Sequence, residues 1–101
     1  MPQIKLVPTE SSRRNLEDIR AFYDEVPEVG ERAIQAIKSG LIRLIEFPNL
    51  GKPNNEDDGE TRLLPIGFGA SGYLVKYRYL EQQSIVVLLG IRAFKQAGFY
   101  E

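Results

Sequence analysis

Residues 84–91, Ser-Ile-Val-Val-Leu-Leu-Gly-Ile, form the most apolar run in the chain and are apolar at both parities. Successive strand side chains point to opposite faces, so a strand with no polar parity belongs in the middle of a sheet covered on both sides. That requirement is hard to meet in 101 residues, where one domain with one core is the expectation. The segment just before it reads differently. Tyr73, Val75, Tyr77 and Tyr79 alternate with Leu74, Lys76, Arg78 and Leu80, the period-two pattern of a half-buried strand. The tyrosine parity is expected to face the core, and Lys76 and Arg78 the wetter side.

The remaining elements follow from punctuation and period. Ile4 to Val7 predicts a short strand stopped by Pro8. Thr9 and Ser11 can each cap a helix start, since a hydroxyl accepts bonds from first-turn amides. Leu16, Ile19, Tyr23 and Val26 then recur at helical spacing, predicting a helix over about 11–26 that Pro27 ends, with Phe22 and Tyr23 packing on the sheet. Glu28 and Glu31 suit the positive end of a second helix. Its stripe is Ala33, Ile34, Ile37, Leu41, Leu44 and Ile45, closing at Phe47-Pro48. Gly40 interrupts that helix at a cost of about 1 kcal/mol relative to Ala. It reads either as a point of close helix–helix approach or as a tolerated weak spot. So short a link between helices makes an antiparallel hairpin.

Asn49 to Glu60 (NLGKPNNEDDGE) is a loop on composition. Its carboxylates Glu56, Asp57, Asp58 and Glu60 lack the spacing of an EF-hand and read as a solvated acidic run. Residues 62–66 predict a strand in which Pro65, without an amide donor, favours an edge. GFGASG, residues 67–72, is a turn, and EQQ, residues 81–83, is another. The result is an α+β fold of order β-α-α-β-β-β, a helical hairpin packed on one face of a small, mostly antiparallel sheet of about four strands. With few residues left to cover the other face, a partner protein laid over the sheet is expected.

Composition narrows the chemistry. The chain has no cysteine and no histidine, which excludes disulfides, thiolate metal sites and a serine–histidine triad. Neither a metal nor a cofactor is expected. Acid–base work is left to Glu, Asp, Lys, Tyr and Arg. No apolar run approaches the ~20 residues of a membrane span, and residues 1–10 lack the apolar stretch of a signal peptide; a cytoplasmic location is the expectation. The net charge of −1 conceals an asymmetry. Residues 1–61 carry 8 basic and 12 acidic side chains (−4), and residues 62–101 carry 5 basic and 2 acidic (+3). The chain is therefore no general polyanion binder, and direct sequence-specific DNA binding is not expected of it, although a local basic face fits the second half.

The order of elements and several segments resemble the RelE/ParE superfamily of toxins from type II toxin–antitoxin systems. The segments are LEDIRAFY (16–23), LIEFPNLGKP (44–53), TRLLPIGFGASGYLVKYRYL (61–80) and SIVVLLGIRAFKQAGFY (84–100). Together the F-P-x-L-G, R-x-L and G-Y-x-V-x-Y-R patterns cover nearly the whole chain. RelE-like members cleave mRNA in the ribosome by attack of a ribose 2′-hydroxyl on the adjacent phosphate. The resemblance assigns that chemistry to two lysines, two arginines and a C-terminal tyrosine. In this sequence the lysine positions hold Pro65 and Gly67, one arginine position holds Leu74 and the other Phe94; Tyr100 alone remains. Losing one charge-stabilising group typically costs ~10²–10³ in rate. YoeB-like relatives need a histidine, which is absent.

The resemblance thus points to the ParE-like, plasmid-stabilisation branch. It implies a non-enzymatic toxin that inhibits DNA gyrase by binding and is neutralised by a cognate antitoxin, a ribbon-helix-helix or similar DNA-binding repressor. The alternative is a divergent mRNA interferase, with Glu46 as base, Tyr100 as acid and Arg78, Arg92, Lys95 and Lys76 around the phosphate. A third reading is an inert partner that only binds its antitoxin. Arg62 and Arg78 match the R-x-L and Y-R positions, and read either as target contacts or as fold-supporting ion pairs, for example with the acidic loop. Arg92, Phe94, Lys95, Phe99 and Tyr100 at the end of the chain read as a docking surface for target or antitoxin, because aromatic and Arg side chains anchor interfaces.

Overall fold

The computed structural model describes residues 3–57 and 59–94. Its elements run β1 (Lys5–Pro8), α1 (Glu10–Phe22), α2 (Pro27–Glu46), β2 (Lys52–Pro53), β3 (Arg62–Phe68), β4 (Ser71–Leu80) and β5 (Ile85–Ala93). The sheet order is β1-β5-β4-β3-β2, with β1 parallel to β5 and every other pair antiparallel. The α+β architecture expected from the sequence is the one observed, with a fifth strand added. β2 was hidden because its two residues, Lys52 and Pro53, sit in a loop-like composition and gain strand geometry only by pairing with Leu63 and Arg62.

Each helix starts where its capping chemistry allows. The Thr9 hydroxyl accepts from the Ser12 amide, which decides between the two candidate caps, and Pro27 opens α2. α1 ends at Phe22, a turn earlier than the apolar spacing implied, and Val26 lies outside it and exposed. Ala33, Ile34, Ile37, Leu41 and Leu44 of α2 are buried. Ala33, Ile37, Leu41 and Leu44 meet Leu64, Ile66, Tyr73, Val75, Tyr77, Val86, Leu88 and Ile91 from one face of the sheet. The tyrosine parity of β4 therefore faces the helices, as its alternation predicts. Two local expectations are corrected. Phe22 is 80% exposed instead of packed on the sheet, because α1 ends there and its ring stands edge-on to Tyr23 at 4.9 Å. Gly40 serves helix–sheet rather than helix–helix contact: a Cβ there would lie 2.6 Å from Cδ1 of Ile66.

The central strand outruns its neighbour. β1 pairs with β5 only as far as Pro8 opposite Leu88, and beyond that α1 takes over the hydrogen bonding. The Thr9 amide and hydroxyl both donate to the Leu88 carbonyl, at 3.1 and 2.7 Å. The buried Asn15 side chain accepts from the Ile91 amide at 2.9 Å. Between those two points the β4–β5 register slips: Lys76 pairs with Gly90 and Tyr77 with Leu88, so Leu89 is the extra residue of a bulge. A buried amide needs an acceptor, and here a side chain supplies what a longer β1 would have supplied.

A second fastening holds the loop after α2. The Tyr77 hydroxyl is deep in the core, donates to the Pro48 carbonyl and accepts from the Gly51 amide, both at 2.8 Å. Arg62, opposite Tyr77 on β3, donates to the carbonyls of Gly51 at 2.7 Å and Asn49 at 3.3 Å. Gly51 has no room for a side chain, since a Cβ would sit 2.7 Å from the Tyr77 ring. Burial raises the Tyr77 pKa, only partly offset by the Gly51 amide and the Arg62 charge.

Two predictions follow from these fastenings. Asn15→Ala leaves the Ile91 amide buried without its acceptor, and should lower the free energy of unfolding by about 1–3 kcal/mol; urea denaturation should show a reduced midpoint at an unchanged slope. The phenols of Tyr77 and Tyr73 both have folded-state pKa values raised above 10.0, so the stability they contribute is complete below about pH 10 and falls as pH rises further. Tyr77→Phe should destabilise the protein at neutral pH and flatten the loss of stability above pH ~10, measured by urea denaturation across that range.

Candidate functional site: the outer sheet face and the groove beside it

Cross-strand pairing identifies which side chains share the face opposite the helices. Lys5 and Val7 on β1 register with Ile85 and Val87 on β5. Val87 and Ile85 register with Arg78 and Leu80 on β4, and Arg92 with Leu74. Leu74 and Lys76 register with Pro65 and Leu63 on β3, and Leu63 with Lys52 on β2. The apolar residues of this face, among them Leu63, Leu74, Ile85, Val87 and Leu89, are part-exposed. Among the described residues no helix packs on it, because both helices occupy the other side.

The face is basic as well as apolar. Lys5, Lys52, Lys76, Arg78 and Arg92 all register on it, and no strand residue anywhere in the sheet is Asp or Glu. A carboxylate reaches it from the loop: Glu60 lies 3.9 Å from Arg78, both well exposed, a pair worth ~1 kcal/mol or less. Lys5 and Lys52 carry no motif of their own, and the register alone reveals them as members of the face.

The positions that the RelE-type pattern reserves for cations come together here. Pro65 pairs directly with Leu74, and Gly67 with Gly72. What assembles at that point is a proline, two glycines and a leucine, bordered by Arg92 across from Leu74. Gly72 is required by the backbone: its φ is +157°, and a Cβ would run into the Ile66 carbonyl oxygen. Phe94, the other expected cation position, is 43% exposed, and its amide donates to the Gly72 carbonyl at 3.0 Å.

The remaining sequence candidates scatter. Arg62 lies on the helix-facing parity and holds the loop carbonyls of Asn49 and Gly51. Glu46 is the exposed last residue of α2, in the helical layer, with the sheet between that layer and the face of Lys76, Arg78 and Arg92. The described structure does not gather Glu46 with those cations. Lys95, Phe99 and Tyr100 lie outside the described residues.

Where the helical layer stops short, the core opens into a groove of ≈530 Å³ beside the β3–β4 turn. Its walls are Ile19 and Phe22 from α1, Tyr23 just after it, and Phe68, Tyr73 and Ala93 from the sheet. Tyr23 and Phe68 stand 6.5 Å apart, and Phe68 and Tyr73 6.2 Å. Asp18 and Arg92 also border it. Burial, then the hydrogen bond with Tyr23 and that residue's charge, holds the Tyr73 phenol well above its ordinary pKa. No helix of the described residues is long and apolar enough to cross a membrane.

Comparison with known proteins places this geometry. Residues 6–96 match the family model of the ParE toxin of the type II toxin–antitoxin system parDE. Toxin RelE3 of Caulobacter vibrioides is 32% identical over 79 residues, covering 77% of this chain and 80% of that protein. A chain of the chromosomal ParDE system from P. aeruginosa superposes with a TM-score of 0.72 at 19% identity, over 90% of this chain and 96% of that one. A chain of the RelBE2 toxin–antitoxin complex from Mycobacterium tuberculosis superposes at 0.64 with 21% identity, over 91% and 99%. At those identities the two structures attest the shared fold. The helical hairpin on a five-stranded sheet, the motif-bearing loop clamp and the match across residues 6–96 together establish that this chain belongs to the ParE toxin family, within the RelE/ParE superfamily of type II toxin–antitoxin systems.

Proposed function

We propose that this chain is a toxin that acts by binding, with DNA gyrase as its target, and that a cognate antitoxin neutralises it by covering the outer sheet face. The observation that carries the first half is the cluster of Pro65, Gly67, Gly72 and Leu74 where a RelE-type nuclease would place its phosphate-binding cations. A side chain without charge cannot stabilise the phosphorane-like transition state or the leaving oxygen. A target-binding role needs no such set; it needs exposed anchors, and Arg78, Arg92 and Phe94 supply them on or next to the face.

The second half rests on charge and coverage. An apolar face studded with lysine and arginine, free of strand carboxylates, suits a segment in which apolar residues alternate with acidic ones. Such a segment is typical of chains that fold on contact with a partner. Solved relatives in the superfamily come from the ParDE and RelBE2 toxin–antitoxin systems, which supports an antitoxin as that partner. The cations of the face also give a second reading specific content: Lys76, Arg78 and Arg92 could hold RNA phosphate in a divergent interferase.

One experiment separates the two. Purified toxin should inhibit supercoiling by gyrase and leave ribosome-bound mRNA intact. Normal supercoiling together with cut mRNA would place it with the interferases. Antitoxin recognition makes its own prediction. Arg78→Glu should weaken antitoxin binding by about tenfold or more, the equivalent of ~1.4 kcal/mol, whereas Arg78→Lys should retain most of it. Isothermal titration at low and high salt checks both, and the difference between variants should shrink as salt rises.

A further inference from the structure

α2 packs on α1, β1 and β3 along one side, and its opposite side looks away from the sheet. That outer side is polar with one interruption. Ile42 is 59% exposed, the one large apolar side chain of α2 that the fold leaves well outside. An exposed isoleucine by itself carries no meaning; the row it belongs to does. Helical side chains four residues apart lie on one row, and on the row of Ile42 these are Lys38 and Glu46, both exposed. The row reads cation, apolar, anion, with opposite charges ~6 Å along the axis on either side of Ile42. Ser39, small and exposed, lies beside it and admits close approach, and Arg43 projects about a quarter-turn round the helix, to the side of the row.

Such a row is complementary to itself when reversed. A second copy laid antiparallel across the first, Ile42 against Ile42, sets Lys38 of each copy opposite Glu46 of the other. A twofold contact uses the same patch on both copies, so the two ion pairs form together. Rows of this kind interdigitate when helices cross at about −50°, and a helix of 20 residues is long enough, at ~30 Å, to be crossed at its exposed row. Beyond Glu46 the row runs into a shallow groove shared by Glu46, Phe47, Pro48 and Leu50, where Phe47 is 59% exposed. Lys38 of the other copy arrives there with an aliphatic stem that covers apolar surface while its ammonium reaches the carboxylate. A wholly acidic or wholly basic partner matches half of the row and is repelled by the other half, whereas a reversed copy matches all of it.

We propose that the outer face of α2 is a self-association site, at which two copies of this chain pair antiparallel about Ile42 through reciprocal Lys38–Glu46 contacts. The site lies on the helical layer, so the outer sheet faces of both copies stay open and point away from each other. It is independent of whether the target is gyrase or the ribosome. One helix pair is a small contact beside stable interfaces, which bury ~1,200 Å² or more, so the dimer is weak and depends on concentration.

Sedimentation equilibrium of the purified full chain, free of antitoxin, should show a monomer–dimer equilibrium. Lys38→Glu sets carboxylate against carboxylate at both contacts, and Glu46→Lys sets ammonium against ammonium. Each alone should weaken self-association by about tenfold or more, and the difference should shrink at high salt. Mixing the two single variants should restore dimers made of one of each, because every pair across the contact is again of opposite sign. The double variant should associate with itself as the unaltered chain does. Both positions are exposed on a helix, and circular dichroism verifies the fold of each variant. A chain monomeric at every concentration, single variants that associate like the unaltered chain, or mixtures that stay monomeric would each overturn the proposal. So would association that Val87→Asp abolishes and the α2 variants leave alone, which would move the contact to the outer sheet face.

Discussion

Two helices cover one face of a sheet whose central strand, β5, has no polar face, and that imbalance organises the rest of the molecule. Val86, Leu88 and Ile91 of β5 are sealed under the helical layer. Ile85, Val87 and Leu89 belong to a face on which no described element packs. Burial of apolar area contributes about 25 cal/mol per Å², so a partner that covers such a face gains what the chain alone leaves unrealised. One covered and one uncovered apolar face, with basic side chains interspersed on the latter, is the arrangement on which the proposed antitoxin-binding role of this face rests.

The motifs that carry the resemblance to the superfamily perform a shared structural task. The F-P-x-L-G segment contributes the Pro48 and Asn49 carbonyls and both backbone groups of Gly51. The R-x-L segment contributes the Arg62 guanidinium, and the tyrosine strand the buried Tyr77 hydroxyl. The second and third stretches thus converge on the five-residue loop formed by the first. Arg62 accordingly donates to main-chain carbonyls of the loop after α2, while Arg78 points to the other side of the sheet and meets Glu60. Adjacent matches to one family pattern can serve opposite faces.

The same economy appears at the bulge. β1 is too short to pair with the whole of β5, and Thr9 and Asn15, the cap and an early residue of α1, bond to Leu88 and Ile91 in its place. α1 is thereby tied to the sheet by polar bonds at its first turns. At its far end, beyond Ile19 and Tyr23, aromatic rings are left around an open groove. Among the described residues, a helix anchored at one end and open at the other leaves a second open region, which Arg92 joins to the border of the outer face.

Periodicity and punctuation in the sequence were sufficient for the element order, the helical hairpin and the core parity of the tyrosine strand; the edge position that Pro65 implied for β3 falls instead to β2, which pairs with β3 only at Arg62 and Leu63, short of the proline. These are local properties: side chains repeat every two or 3.6 residues, proline ends what it must end, and each signal lies within a short window. The exclusion of histidine and cysteine chemistry was equally local, and so was the lack of charge at Pro65, Gly67 and Leu74, the positions that the resemblance assigns to nuclease cations. Tertiary structure alone decided what depends on register between distant segments. It paired Lys52–Pro53 into a strand, turned Asn15 inward to an amide 76 residues away, and set Gly40 against Ile66 instead of a helix. It gathered Lys5 and Lys52 with Lys76, Arg78 and Arg92 on one face while leaving Glu46 in the other layer. A one-residue shift in pairing moves a side chain to the opposite face, so which charges become neighbours is written in the hydrogen bonds between strands and in no single stretch of the chain.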